Sequence, residues 1–131
     1  GNTIAIKLHT EHGQEVICDL RCHILNYELS MMAWFAGCVA RPIATADGIL
    51  TWDMIRREVR PLGPHWAPTG LIEVENTHNM AGGTVYPLET IRAIAKCWRS
   101  GPDWGLIRRT PDWRRDCLHS PRYRWWRTRT G

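Results

Sequence analysis

The sequence predicts an α/β domain built on a largely parallel sheet. Short apolar runs alternate along the chain with segments in which apolar residues recur every three or four positions. One helical segment separates each pair of apolar runs, which is the order of a strand–helix–strand unit. The length of 131 residues fits one domain or a piece of a larger protein.

The first two elements are predicted to be a helix and a strand. Residues 3–10 could form either, and we favour a helix because Ile4 and Leu8 would share one helical face. A glycine turn then precedes a short apolar strand from Val16 to Cys18, which ends at Asp19.

A second helix and a second strand follow. Apolar residues recur at helical spacing over residues 23–37, and Gly37 is suited to cap that helix. Residues 38–44 form the next apolar run, which predicts a strand. Pro42 places this strand at an edge or an end, because proline cannot donate a hydrogen bond to a neighbouring strand.

The third strand is flanked by two helices with clear start signals. After the turn residues Asp47 and Gly48, Thr51 is a predicted N-cap for a helix that runs to Arg60. A loop rich in proline and glycine leads to a strand from Leu71 to Val74.

Pro87 is suited to be the first residue of a helix over residues 87–97. Because the predicted strand ends at Val74, residues 75–79 follow its carboxyl end, which is where open α/β sheets bind ligands.

Composition excludes several classes of protein. No apolar run approaches the roughly 20 residues that cross a bilayer, and no signal-peptide pattern is visible. Five cysteines at irregular spacing favour free thiols and a cytoplasmic location. Because the chain starts at Gly1, we expect the natural N-terminus to lie upstream.

The positive net charge of +4 belongs to the C-terminal segment. Residues 97–131 contain nine of the fifteen arginines and five of the eight tryptophans. Residues 1–96 instead contain eight Lys and Arg side chains against ten Asp and Glu side chains. The sequence therefore divides into a mildly acidic body, residues 1–96, and an irregular basic tail, residues 97–131.

Two polar clusters are candidates for chemistry. His78, within residues 75–79, can move protons near neutral pH, although a polar turn with an ordinary histidine would have the same composition. His23 and Glu28 form the second cluster, for which an ordinary helix start is the alternative. A metal site on Cys18, Cys22 and His23 lacks a second ligand pair at zinc-finger spacing, so we predict none.

The stretch "ENTHNMAGGTVYPLE" resembles the E-N-T-H-N…GG…PLE signature of the low-specificity threonine aldolases. These are pyridoxal-phosphate enzymes of the β-eliminating lyase group. "GQEVICD", "HILNYE" and "DGILT" fall in the order and spacing of that family, and the resemblance covers about residues 1–96. It implies part of the three-layer α/β/α large domain of a fold-type-I enzyme.

The resemblance also implies roles for five residues. His23 would stack on the pyridine ring of pyridoxal 5'-phosphate, and Glu28 would position water or relay protons beside it. His78 would face the β-hydroxyl of an amino acid substrate and help to remove its proton. Gly1 and Asn2 resemble the end of the segment that binds the cofactor's phosphate.

The chain departs from the family pattern in several places. Leu29, Ser30 and Met31 stand where the family usually has Ala-Gly-Gly. The His-x-Asp-Gly-Ala-Arg motif is absent, and neither Lys7 nor Lys96 matches the lysine that binds the cofactor covalently. We therefore expect a fragment that is inactive alone, from a homo-oligomeric parent enzyme. A β-eliminating lyase acting on another amino acid is the alternative enzyme.

The tail has no helix or strand periodicity. A shift of reading frame near Cys97 would restore Leu and then Ala or Glu at the next positions, which is how the family's helix continues. We interpret the tail as the product of such a shift. The alternative is a degenerate protein whose arginines and tryptophans bind nucleic acid, which we disfavour because the tail has no lysine.

Overall fold

The computed structural model describes residues 1–100, which form an α/β domain of five helices and three strands. The predicted tail lies outside the described residues, apart from its first four positions. The elements are α1 (Asn2–His9), β1 (Glu15–Asp19), α2 (His23–Asn26), α3 (Met31–Trp34), β2 (Val39–Ile43), α4 (Trp52–Glu58), β3 (Thr69–Ile72) and α5 (Leu88–Ser100), with a short 3-10 helix at Asn79–Ala81.

The three strands form one parallel sheet in the order β2-β1-β3. Val16 pairs with Ala40 on one side and with Leu71 on the other. This confirms the predicted fold class. Within the described sheet β2 lies at an edge, as Pro42 predicted. An edge strand tolerates proline because its unpaired side needs no N–H donor.

Helices cover both faces of the sheet. Side chains alternate along β1, so Val16 and Cys18 face one side while Ile17 faces the other. The first side packs on α1, α2 and α3, and the second packs on α4 and α5. The two clusters of buried apolar residues are Ile6, Val16, Cys18, Cys22, Ile24, Met32, Ala36 and Cys38 on one face, and Ile17, Leu50, Ile55, Tyr86 and Ile94 on the other.

The helix predicted over residues 23–37 is wrong as a single element. It forms two four-residue helices, α2 and α3, because the chain turns between them. Leu29 and Ser30 adopt the left-handed conformation, with φ angles of 54° and 57°, which a continuous helix excludes. Gly37, predicted as a cap, has a φ of 72° three residues after α3 ends.

The first helix is confirmed, but its buried face differs from the one that the spacing indicated. Ile4 and Leu8 are exposed, whereas Ile6 between them packs into the core. The apolar residues of a short helix do not identify its buried side when both sides carry them.

Element ends shift by one to three residues. Thr51 caps α4 as predicted, accepting a hydrogen bond from the Met54 amide, but the helix ends at Glu58. The third strand covers Thr69–Ile72 rather than 71–74, since its pairing with β1 begins two residues earlier. Helix α5 begins directly after Pro87 and ends at Ser100, three residues beyond the predicted end at Cys97. Among the described helices, none has the length and apolar character that crossing a bilayer requires.

Candidate functional site

The carboxyl ends of the three strands meet at one edge of the sheet, and polar side chains collect there. Asp19 ends β1, Thr45 lies two residues beyond β2, and His78 follows β3. Because the strands are parallel, loops that are far apart in sequence become neighbours at this edge.

His78 is fully buried and is held by Asp19. Its Nε2 lies 3.1 Å from Asp19 Oδ1. The same carboxylate accepts a hydrogen bond from the Thr45 hydroxyl at 2.6 Å and one from the Arg21 amide at 2.8 Å. Burial alone would raise the pKa of Asp19, but the hydrogen bonds from Thr45, Arg21 and His78 outweigh it, so that the pKa lies below its ordinary value.

A glycine makes room for the imidazole of His78. Gly48 has a φ of 83°, and a Cβ at this position would lie 2.7 Å from Cδ2 of His78. A side chain at position 48 would therefore displace the ring as well as strain the backbone. The predicted Asp47–Gly48 turn thus supports the site directly.

Glu75 lies between the two predicted histidines. Its Oε2 accepts a hydrogen bond from the His23 amide at 2.8 Å, and its Oε1 accepts one from the Asn79 amide at 2.9 Å. His78 Nδ1 lies 3.8 Å from Glu75 Oε2, which is too long for a hydrogen bond. Among the described residues, that nitrogen has no hydrogen-bond partner.

His23 and Glu28 are paired as the sequence suggested. His23 Nδ1 lies 3.0 Å from Glu28 Oε1, and the His23 side chain is 43% exposed. The side-chain amide of Asn2 donates a hydrogen bond to the same Glu28 oxygen, and the Thr3 hydroxyl donates one to Glu28 Oε2 at 3.3 Å. Burial opposes ionisation of Glu28, yet the hydrogen bonds from Asn2 and His23 lower its pKa. The start of α1 is thereby tied to α2.

Glu73 is a further carboxyl group at this edge, and sequence reasoning did not select it. Its Oε2 is buried without a hydrogen-bond partner among the described residues. Burial, followed by the negative charges of Glu75, Glu28 and Asp19, raises the pKa of Glu73 to about 8. The carboxyl group therefore holds a proton at neutral pH.

The predicted site residues lie together. Asn2, Glu28 and His23 are joined by hydrogen bonds, and Glu75 continues the chain to the neighbourhood of His78. Gly1 is the N-cap of α1, next to Asn2. The burial of the His78 ring was not foreseen, because the sequence placed it towards a ligand.

Asp19, Glu75 and Glu73 were missed as contributors. A signal existed for the first two: Asp19 ends a predicted strand, and Glu75 belongs to the E-N-T-H-N stretch. The sequence gives no comparable signal for Glu73.

The described residues offer no metal centre, and their cysteines are not joined. Residues 1–100 contain no group of three or more His, Cys, Asp or Glu side chains arranged to hold a metal ion. Their four cysteines are free thiols. Hydrogen bonding to Cys22, together with burial, raises the pKa of the Cys18 thiol.

A family model described as "Beta-eliminating lyase" matches residues 1–101. The chain belongs to the beta-eliminating lyase family. Low specificity L-threonine aldolase of Escherichia coli (strain K12) is a similar protein, 35% identical over 92 residues, which cover 70% of this chain and 27% of that protein. The Saccharomyces cerevisiae protein of the same name is 34% identical over 105 residues, covering 76% and 26% respectively.

A solved structure, the threonine aldolase of Leishmania major, has the same fold. It superposes with a TM-score of 0.64 at 25% identity, covering 75% of this chain and 28% of that one. The chain is thus similar to threonine aldolases in both sequence and fold. It spans about a quarter of the length of these relatives.

Proposed function

We propose that the chain forms part of the active site of a pyridoxal-phosphate-dependent aldolase. The parent enzyme would cleave threonine, or a related β-hydroxy-α-amino acid, to glycine and an aldehyde. The observation that carries this proposal is the run of hydrogen bonds from Asn2 through Glu28 and His23 to Glu75, at the edge of the sheet where such ligands bind. The names of the matched aldolases support it.

The residues at this edge fit parts of the cofactor. Gly1 and Asn2 open α1, and the free amides at a helix start suit a phosphate group. The partly exposed imidazole of His23 offers a flat face for ring stacking, and Glu28 fixes its orientation through Nδ1. When bound, the cofactor supplies the electron sink for cleavage of the Cα–Cβ bond.

His78 is the residue that we propose takes the proton of the substrate's β-hydroxyl. Histidine is chemically suited to this step because its two protonation states interconvert near neutral pH. Since its ring is buried, the proton would reach it on the side of Glu75, whose side chain is 14% exposed. Glu28, kept ionised by its hydrogen bonds, would hold or relay protons beside His23.

The chain alone is expected not to catalyse this reaction. Lys7 contacts His12 near the far end of α1, and Lys96 lies in α5, so neither lysine takes part in the His23–Glu28 cluster. We propose that the parent enzyme is a homo-oligomer. The free thiols of the described residues support our proposal that it works in the reducing cytoplasm.

Cofactor titration tests the binding half of this proposal. We expect pyridoxal phosphate to bind the chain without a covalent bond, measured by the change in its fluorescence. Borohydride treatment should then leave no cofactor attached to the protein, because there is no imine for it to reduce to a stable bond. His23→Ala should weaken binding roughly three- to tenfold, the range for a lost ring contact. His65→Ala, at an exposed loop position, is the control. Equal affinities in both variants would contradict the role of His23.

A chimera tests the reaction itself. Residues 1–96 would replace the matching segment of the Escherichia coli aldolase, which keeps that enzyme's own remaining residues. We expect threonine cleavage, measured as glycine and acetaldehyde release. A folded chimera that holds the cofactor and acts only on other amino acids would instead favour the alternative lyase.

A further inference from the structure

The two nitrogens of the buried His78 ring have different surroundings. Nε2 lies 3.1 Å from Asp19 Oδ1, at hydrogen-bond distance. Nδ1 has no hydrogen-bond partner among the described residues, and Glu75 Oε2 lies 3.8 Å from it. The ring has no exposed surface, so neither nitrogen is solvated. The neighbouring side chains must therefore decide which nitrogen carries the proton.

Asp19 can only accept a hydrogen bond from the ring. Its Oδ1 already accepts from the Arg21 amide, and its Oδ2 accepts from the Thr45 hydroxyl. The Arg21 guanidinium lies 3.6 Å from Oδ1 and adds a positive charge on the same side. These contacts stabilise the ionised carboxylate, which has no proton to donate. The proton between the two groups must then belong to Nε2.

We infer that Asp19 fixes neutral His78 as the tautomer protonated at Nε2, which leaves Nδ1 as the nitrogen that gains and loses a proton. Asp19 is thus a positioning residue that acts through His78. The tautomer is a property of this chain alone, whereas its use in catalysis rests on the proposed function.

The surroundings of the ring suit this assignment. When Nδ1 takes a proton from a hydroxyl group, the O–H bond breaks, an N–H bond forms and the imidazole becomes positively charged. Asp19 then lies at Nε2 and Glu75 lies on the side of Nδ1. The absence of a side chain at Gly48 leaves room for the ring at this position, since a Cβ there would lie 2.7 Å from Cδ2 of His78.

Long-range nitrogen–proton NMR of the 15N-labelled full chain tests the inference. The His78 signals are assigned through the backbone, and the pattern of couplings identifies the protonated nitrogen. We expect wild-type neutral His78 to be protonated at Nε2. A signal from the Nδ1-protonated form, or an even mixture of the two forms, would overturn the inference.

Three variants separate tautomer control from general stabilisation. Asp19→Ala should shift His78 to a mixture of tautomers, because the acceptor is gone. Asp19→Asn should keep the Nε2-protonated form, since the Arg21 amide still requires an oxygen at the Oδ1 position. Thr45→Val, which keeps the Asp19–His78 contact, is the matched control. An unchanged signal in folded Asp19→Ala would refute the inference.

The outcome does not depend on folding of the most severe variant. If Asp19→Ala does not fold, the wild-type and Asp19→Asn spectra still decide between the two tautomers. Failure of the chimera to cleave threonine would remove the proposed function and leave the tautomer result intact. A wrong tautomer in a chain that still binds the cofactor would remove the inference alone.

Discussion

Glu73 shows how a single buried carboxyl group depends on its neighbours. It follows β3, and its amide donates a hydrogen bond to the Ile17 carbonyl at 2.8 Å, which holds the residue against β1. Burial and the surrounding carboxylates raise its pKa to about 8 from an ordinary value of 4.5. The folded protein therefore binds a proton that the unfolded chain releases.

This shift predicts a pH-dependent stability. The contribution of the Glu73 proton is fully present below about pH 4.5 and is lost as pH rises through about 8. We expect the wild type to lose stability relative to Glu73→Gln across that window, measured by urea unfolding at several pH values. Glu89→Gln, at an exposed site, should follow the wild type. Parallel wild-type and Glu73→Gln curves would show that Glu73 titrates normally.

At the scale of elements, the break between α2 and α3 places two non-glycine residues in a strained backbone conformation. Leu29 and Ser30 both have positive φ, a conformation that costs an L-residue roughly 1–2 kcal/mol. The family resemblance places a glycine at the position of Ser30. The positive φ at this position is a physical reason for glycine there, since glycine adopts this conformation without strain.

Ser30→Gly is therefore expected to stabilise the protein by about 0.5–1 kcal/mol, because relief of strain exceeds the added entropy of the unfolded chain. Ser30→Ala keeps a Cβ at positive φ and should give no gain. Thermal and urea unfolding measure both variants. A gain in both would point to loss of the hydroxyl, not to backbone conformation.

The pairing of β1 with β2 carries a buried ion pair at its amino end. Glu15 is buried, and Arg41 contacts both of its carboxylate oxygens while also reaching Glu58. Hydrogen bonding to Glu15 raises the pKa of Arg41. Arg60 lies 3.2 Å from the same Glu15 carboxylate.

Arg41→Met keeps the apolar stem but removes the charge, leaving Glu15 with Arg60 only. We expect a loss of about 3 kcal/mol in the free energy of unfolding, the range for breaking one side of a buried pair. Arg56→Met breaks the exposed pair with Asp53 and should cost about 0.5 kcal/mol or less. Similar losses in the two variants would mean that burial of Glu15 does not determine how much its ion pair with Arg41 stabilises the protein.

At the scale of the whole molecule, β1 holds the two apolar clusters together, because its side chains alternate between them. Ile17 is fully buried on the face that packs α4 and α5, whereas Ile4 on α1 is 60% exposed. The same residue type thus occurs in a core and on a surface of one fold.

Ile17→Ala should reduce the free energy of unfolding by about 2–5 kcal/mol through lost contacts and a cavity. Ile4→Ala should change it by about 0.5 kcal/mol or less. Denaturant unfolding at fixed pH compares the two. A comparable loss in Ile4→Ala would show that the exposed face of α1 is covered in solution.

The sequence by itself determined the class of fold and predicted where the candidate site residues would meet. Short apolar runs alternating with helical patterns predicted the parallel sheet, and the strand ends predicted where polar residues would meet. The E-N-T-H-N stretch indicated the family. These features are local, so they can be recognised without knowing which segments come into contact.

Only the tertiary structure decided how the site residues are partnered. Asp19 and His78 are 59 positions apart, and no local pattern predicts their hydrogen bond. The same holds for the burial of His78, for the hydrogen bonds of Glu75 with the backbone amides of His23 and Asn79, and for the proton held by Glu73. Each of these depends on which strands are neighbours in the sheet, because burial and electrostatic fields come from groups that are distant in sequence and close in space.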